Sequence, residues 1–137
     1  MKFEYLNNLN DTQKEAVCYL NGPLLIVAGA GSGKTRVITS KIAHIIKQKE
    51  AYPSQILAVT FTNKAASEML RRVNEILKKD AIDLSWVGTF HSISAKLLRR
   101  HAKAANLNSN FTIIDQDDQI RLIKNICKSE NIDIKKI

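Results

Sequence analysis

Only two cysteines occur among the 137 residues, Cys18 and Cys127. They are too few and too far apart for a disulfide framework or a thiolate zinc site, so both are expected as reduced thiols on helices. No apolar run approaches the roughly 18 residues that a membrane-spanning helix needs. Residues 1–10 lack the basic start and apolar stretch of a signal peptide, which makes the cytoplasm the expected location. Of the three histidines, His44 and His101 read as ordinary helix-face residues. His91 reads as a helix-capping or hydrogen-bonded histidine before a catalytic base, since nothing nearby resembles a triad or a metal set. Acidic residues are also scarce: 13 Asp and Glu stand against 21 Lys and Arg, a formal charge of +8. That surplus attracts polyanions and repels other cations, so nucleic acid becomes the leading macromolecular partner. A basic, solvated surface without a partner fits the composition equally well, and position has to decide between them.

What the chain does contain is 45% apolar and 25% charged residues, ordinary for a globular domain with a core. Its most informative stretch is an apolar run, residues 24–27, that breaks into Ala28-Gly29-Ala30-Gly31-Ser32-Gly33-Lys34-Thr35. The run has the length of a buried parallel strand. After it, Val37, Ile38, Ile42, Ile45 and Ile46 recur at helical spacing. Strand, glycine-rich loop and helix are the context of a phosphate-binding loop, here in a relaxed form with Ala28 at the first glycine position. Such a loop turns backbone N–H groups onto phosphates, the helix start adds its dipole, and Lys34 brings a full charge. Thr35 supplies a hydroxyl for Mg²⁺. A nucleoside triphosphate is the expected ligand, with Lys34 and Thr35 as the residues closest to its chemistry.

Along the rest of the chain, Asn10 and Gln13 have the spacing of a capping box opening a helix to about Leu20, with Gly22 and Pro23 beyond its end. Residues 55–60 read as a second strand, after which Asn63 is placed to cap a helix with the stripe Ala66, Met69, Leu70, Val73, Ile76 and Leu77. Residues 84–88 read as a third strand containing Trp86, followed by a helix over 91–104. Asn106, Asn108, Ser109 and Asn110 mark a turn. Asp115 serves either as the N-cap of a helix to about Ser129 or as a carboxylate associated with Mg²⁺. Alternating strands and helices predict an α/β fold, a parallel sheet with helices on both faces and ligands at the carboxyl ends of the strands. Two segments join the loop at that edge: Phe61-Thr62-Asn63 and Thr89-Phe90-His91. Each runs into a basic helix, holding Lys64, Arg71 and Arg72 or Lys96, Arg99 and Arg100. Either phenylalanine alone fits core packing. Two in equivalent places favour a stacking edge for bases, with phosphate contacts beside it.

Taken together, Leu9-Asn-Asp-Thr-Gln13, Ala28 through Arg36, Thr60-Phe-Thr-Asn-Lys-Ala-Ala66 and Val87-Gly-Thr-Phe-His91 resemble the amino-terminal part of UvrD/Rep/PcrA-type superfamily 1 DNA helicases. The resemblance implies a partial RecA-like P-loop NTPase domain over residues 1–108, and the beginning of an inserted helical subdomain over 109–137. It implies that Gln13 reads adenine, which makes the nucleotide ATP, and that Ala28, Gly29, Ala30, Gly31, Ser32, Gly33, Lys34 and Thr35 hold its phosphates. Thr35 would meet Mg²⁺ and Arg36 would lie along the base or ribose. Phe61, Thr62, Asn63, Thr89 and His91 would line a single-stranded DNA track. The parent would be an ATP-hydrolysing enzyme that translocates 3′ to 5′ and unwinds duplex at junctions. The family's Asp-Glu pair, arginine fingers and second motor domain are not in these residues, so the chain is expected to bind without unwinding, its partner being the remainder of the helicase chain. A non-enzymatic single-stranded nucleic-acid-binding module with a vestigial loop is the alternative, and a small P-loop kinase a more distant one.

Overall fold

Local sequence sets most helix starts in the computed structural model, which describes residues 3–29, 31–78 and 82–132. Helix α1, Asp11–Cys18, opens on the expected capping box: Asn10 Oδ1 accepts from the Gln13 N–H at 2.9 Å, and Gln13 Oε1 accepts from the Asn10 N–H at 3.1 Å. Helix α2, Lys34–Lys47, begins instead at Gly33, whose φ of 87° is left-handed and which offers no capping side chain. Helix α3, Asn63–Leu77, is capped by Thr62, whose Oγ1 accepts from the Ala65 N–H at 3.1 Å. The expected cap, Asn63, is therefore the first helical residue. Two capping-competent residues stand in tandem there, and Thr62, with extended backbone angles of −116° and 148°, takes the role. Helix α4, Phe90–Arg100, stops earlier than its apolar pattern suggested and continues as a 3₁₀ turn, Ala102–Ala105. Helix α5, Gln116–Ser129, starts at Asp115, whose carboxylate accepts from the Asp118 N–H at 2.8 Å. Of its two readings, Asp115 takes the cap.

Strands β1, Ala58–Thr60, and β2, Val87–Thr89, pair in parallel with Ala58 opposite Val87, Val59 opposite Gly88 and Thr60 opposite Thr89. Both are shorter than expected. A 3₁₀ turn, Pro53–Gln55, takes the start of the first, and Trp86 lies half-buried in the turn before the second, with the Lys96 ammonium 5.8 Å from its ring centre. The expected strand at 24–27 is not formed. Among the described residues the β1–β2 pair makes up the sheet, nothing bonds to the backbone of 24–27 as a ladder, and Leu25 and Val27 are 86% and 88% exposed. A parallel strand exists only through its neighbours, however apolar its sequence.

The chain divides into two compact units, Met1–Lys96 and Leu97–Ile137. In the first, α2 packs against α1 and α3, and α3 lies against both strands. Ile42, Ile56, Met69, Val73, Leu84 and Val87 form its main core, and Leu9, Val17 and Val37 a second cluster between α1 and α2. Each such side chain contributes about 1.5–3 kcal/mol on burial. Lys41 of α2 fastens α1 by donating to the carbonyls of Ala16, at 3.0 Å, and Tyr19, which satisfies the end of that helix. In the second unit the Leu107 N–H donates to the Ala102 carbonyl at 2.9 Å, the Arg99 guanidinium lies 5.4 Å from the Phe111 ring centre, and Ala102 and Cys127 are buried. Cys18 and Cys127 are both unpaired thiols on helices, as expected.

His44 is not the ordinary helix-face residue its position suggested. It is buried, and its Nδ1 shares a 2.7 Å hydrogen bond with the Tyr5 hydroxyl, with the Phe3 ring packed edge-on at 5.6 Å and Lys47 over the Tyr5 ring. Burial first, and the charge of Lys41 second, lower the His44 pKa from 6.5. Folding therefore excludes a proton that the unfolded chain accepts above the native pKa. The stability from a neutral, Tyr5-bonded His44 is complete above pH 6.5 and is lost as pH falls toward the lower native value. Urea midpoints measured from about pH 7 to about pH 5 should decline, and should decline less in His44→Gln. Equal slopes in the two proteins would contradict a buried neutral imidazole.

Candidate functional site

The glycine-rich segment forms a tight loop by placing Gly31 and Gly33 in the left-handed region, at φ 76° and 87°. Ser32 closes it, donating from its N–H at 3.3 Å and from its hydroxyl at 2.7 Å to the Gly29 carbonyl. Lys34 bends back so that its ammonium donates to the carbonyls of Ala28 and Gly29 at 2.7 and 2.6 Å. Because α2 has no side-chain cap, the N–H groups of its first turn remain available to an anion. Thr35 is exposed on that turn, and Arg36 donates to the Asn8 carbonyl at 3.4 Å. Ala30 lies outside the described residues.

Gln13 ties this loop to α1. Its Nε2 donates to the Ser32 carbonyl at 3.0 Å while its Oε1 completes the capping box at Asn10. Each amide atom keeps one hydrogen-bonding position for a further partner. Beside it lies a cleft of about 470 Å³ whose walls include Gln13, Tyr19, Leu25, Val27, Ala28 and Lys34. It has the apolar walls and few polar groups of a small-molecule site.

The parallel register brings the other two segments together. With Thr60 opposite Thr89, Phe61 and Phe90 leave the sheet side by side, their ring centres 5.3 Å apart and tilted by 48°. Phe61 is 83% and Phe90 46% exposed, so neither is a core residue. Asn63 and His91 are exposed at the starts of α3 and α4. Thr62 and Lys64 line a groove together with Thr35, so the first turn of α2 and the start of α3 face one groove, whose walls also include Glu68, Arg71 and Arg72. Thr89, by contrast, is buried, and its hydroxyl is occupied by Ser92, accepting from the Ser92 N–H at 3.1 Å. Its place at the edge is to hold the start of α4. Ser92 itself was not legible, although Gly88 hints at it: a side chain there would begin 2.8 Å from the Ser92 hydroxyl.

The basic character of α3 is smaller than its composition suggests. Arg71 and Arg72 both bond to Glu68, at 2.6 to 3.0 Å, and Arg71 also meets Glu75. The Arg71 bonds foremost, then those of Arg72, hold the Glu68 carboxyl at a pKa of about 2. Two cations are thereby matched by two anions on one helix face, and Lys64 is left as the cation nearest the aromatic pair in sequence. The spacing of Glu68, Arg71, Arg72 and Glu75 at three and four residues was the signal for this network.

Two aromatic turns that leave a parallel strand pair for helix starts, together with a glycine-rich loop that opens a third helix, define an α/β protein. Residues 9–137 match the family model of the UvrD/REP helicase N-terminal domain, and the chain belongs to that family. It is 51% identical over 131 residues to the ATP-dependent DNA helicase PcrA of Staphylococcus aureus strain Mu50. The same identity over 131 residues relates it to the PcrA of Staphylococcus epidermidis strain ATCC 12228. In both cases the match covers 96% of this chain and 18% of the relative's length.

Gly33 is the position where the loop geometry is most exposed to mutation. A methyl group there would sit 2.9 Å from Gln13 Nε2 on a backbone that L-residues avoid, whereas at Gly29 it would meet nothing within 4 Å. Gly33→Ala should lower unfolding free energy by about 1–2 kcal/mol in urea. Gly29→Ala should change it by less than about 0.5 kcal/mol. Equal effects would show that the left-handed turn is not a constraint.

Proposed function

We propose that the chain is the ATP-binding part of an ATP-dependent DNA helicase that translocates 3′ to 5′ on single-stranded DNA and opens duplex at junctions. Residues 1–108 are the partial RecA-like domain, and 109–137 begin the inserted helical subdomain. The observation that carries this reading is the groove in which Thr35, next to the glycine-rich loop, meets Thr62 and Lys64, which follow Phe61 in the chain. A motor needs its nucleotide and its track in mechanical contact, and here a few residues separate them. Family membership supports it, since relatives 51% identical to this chain are named ATP-dependent DNA helicases.

The residues present fit a Mg²⁺–nucleotide. The first-turn N–H groups of α2 and the left-handed glycines provide a concave donor surface. Lys34, which donates to the Ala28 and Gly29 carbonyls, would turn its ammonium to the phosphate oxygens, and Thr35 would offer its hydroxyl to the metal. Gln13 is within reach of the base through its remaining donor and acceptor, and Arg36 flanks the same helix start. Bound Mg²⁺–ATP supplies a phosphoryl group for transfer to water. Stabilising the charge of that step and unwinding require groups from the remainder of the chain, whose docking accords with the exposed apolar run at 24–27. On the other side of the cleft, Phe61 and Phe90 stack bases, while Asn63 and His91 offer polar contacts. No helix among the described residues is long and apolar enough to cross a membrane, and cytoplasmic DNA is the proposed substrate.

Titration with a fluorescent ATP analogue and Mg²⁺ tests the loop. Lys34→Ala removes a charge-assisted bond and should weaken binding about 10- to 150-fold. Unchanged affinity would exclude the loop as the site, and DNA affinity insensitive to nucleotide would favour a DNA-binding module with a vestigial loop. In a separate titration with single-stranded DNA, Phe61→Ala should cost about 1–3 kcal/mol. No loss would remove the aromatic pair from the track.

A further inference from the structure

The second compact unit holds a basic groove in which Arg99 and Arg100, basic residues already noted at the end of α4, are joined by Lys103, Asn108 and Ser109, which neither the nucleotide nor the single-strand reading uses. Its volume is about 520 Å³, and Arg99, Arg100, His101, Lys103, Asn108 and Ser109 line it. All six are exposed. In sequence, no acidic residue occurs between Asp83 and Asp115, so the groove's own segment contributes cations and no anions.

Arginines at a helix end are often explained by the helix dipole, and Arg99 and Arg100 do close α4. That account does not reach Lys103, which lies past the helix in the Ala102–Ala105 turn. Nor does it explain why Arg99 is held in place, its guanidinium 5.4 Å from the Phe111 ring centre. A stacked guanidinium keeps the N–H groups at its rim free for planar acceptors such as phosphate. Asn108 and Ser109 add neutral donors to the lining. What the groove lacks is also informative: no Phe, Tyr or Trp lines it, and its one ring is the small imidazole of His101, so it offers no pair of stacking rings like that of Phe61 and Phe90. Cations with neutral donors and so little stacking surface suit a sugar–phosphate backbone whose bases are already paired.

We infer that this groove binds the phosphate backbone of duplex nucleic acid, through residues other than those of the Phe61–Phe90 edge. The inference rests on the nucleic-acid reading above and adds the double-stranded partner's place on the chain. Lys103 and Arg99 carry the charge, and sequence plays no part in the recognition.

The test measures the 137-residue chain against a labelled blunt hairpin duplex and a labelled single strand over a range of salt concentrations. Circular dichroism verifies each variant's fold. Each lost phosphate contact should reduce the slope of log K against log salt by about 0.9 for duplex. Lys103→Gln should therefore lower the duplex slope by about 0.9, and Arg99→Gln with Lys103→Gln by about 1.8. Single-strand affinity should stay within about twofold in both, and Phe61→Ala should do the reverse, weakening single strand and sparing the duplex slope. Lys103→Gln alone decides the matter if the double variant fails to fold. Unchanged duplex slopes, or equal losses for the two probes, overturn the groove. Single-strand binding by the wild type without duplex binding overturns the groove and leaves the proposed function standing. Failure to bind either probe overturns both.

Discussion

The amide of Gln13 is the bond on which the arrangement turns. One atom completes the cap of α1, the other holds the Ser32 carbonyl, and Gly33 lies close enough that a methyl group would displace the contact. The loop is thus shaped from outside as well as by its own glycines. Lys41 reinforces the same pair of helices at the far end of α1. With α1 fastened at both ends to the loop and to α2, the uncapped start of α2 becomes a fixed point from which the cleft is built.

The second half of the cleft is governed by charge placement. A carboxylate at position 68 turns two neighbouring arginines along α3, and the Glu68 carboxyl stays ionised down to a pKa of about 2. This leaves the aromatic edge less positive than the net charge of +8 implies. The excess is instead concentrated where acidic residues are missing, most evidently between Asp83 and Asp115. Counting charge by segment therefore locates candidate polyanion contacts better than counting it over the chain.

Features decided within a few residues were legible in the sequence. The Asn10–Gln13 cap, the Asp115 cap and the left-handed glycines before α2 each follow from local chemistry. What failed to show was decided by distant partners. Residues 24–27 have every local attribute of a strand but no ladder among the described residues. His44 has the helical spacing of a surface residue and is covered by Phe3 and Tyr5, which approach from far along the chain. Thr89 looked like an edge donor until the start of α4 took its hydroxyl. The site was readable as a set of candidates, and the structure sorted them into groups that face the cleft and groups that hold it open.

The three-pair ladder between β1 and β2 also acts as a ruler. Adjacent strands sit about 4.8 Å apart, and the rings that follow Thr60 and Thr89 stand 5.3 Å apart, so backbone hydrogen bonding sets the pitch of the aromatic pair. Side-chain substitutions can alter what each ring grips but not that interval. Inserting or deleting one residue in either turn would break the phase between the rings while leaving every strand bond intact. The spacing of the rings is therefore a property of chain length at this edge, set by the register and not by which side chains stand there.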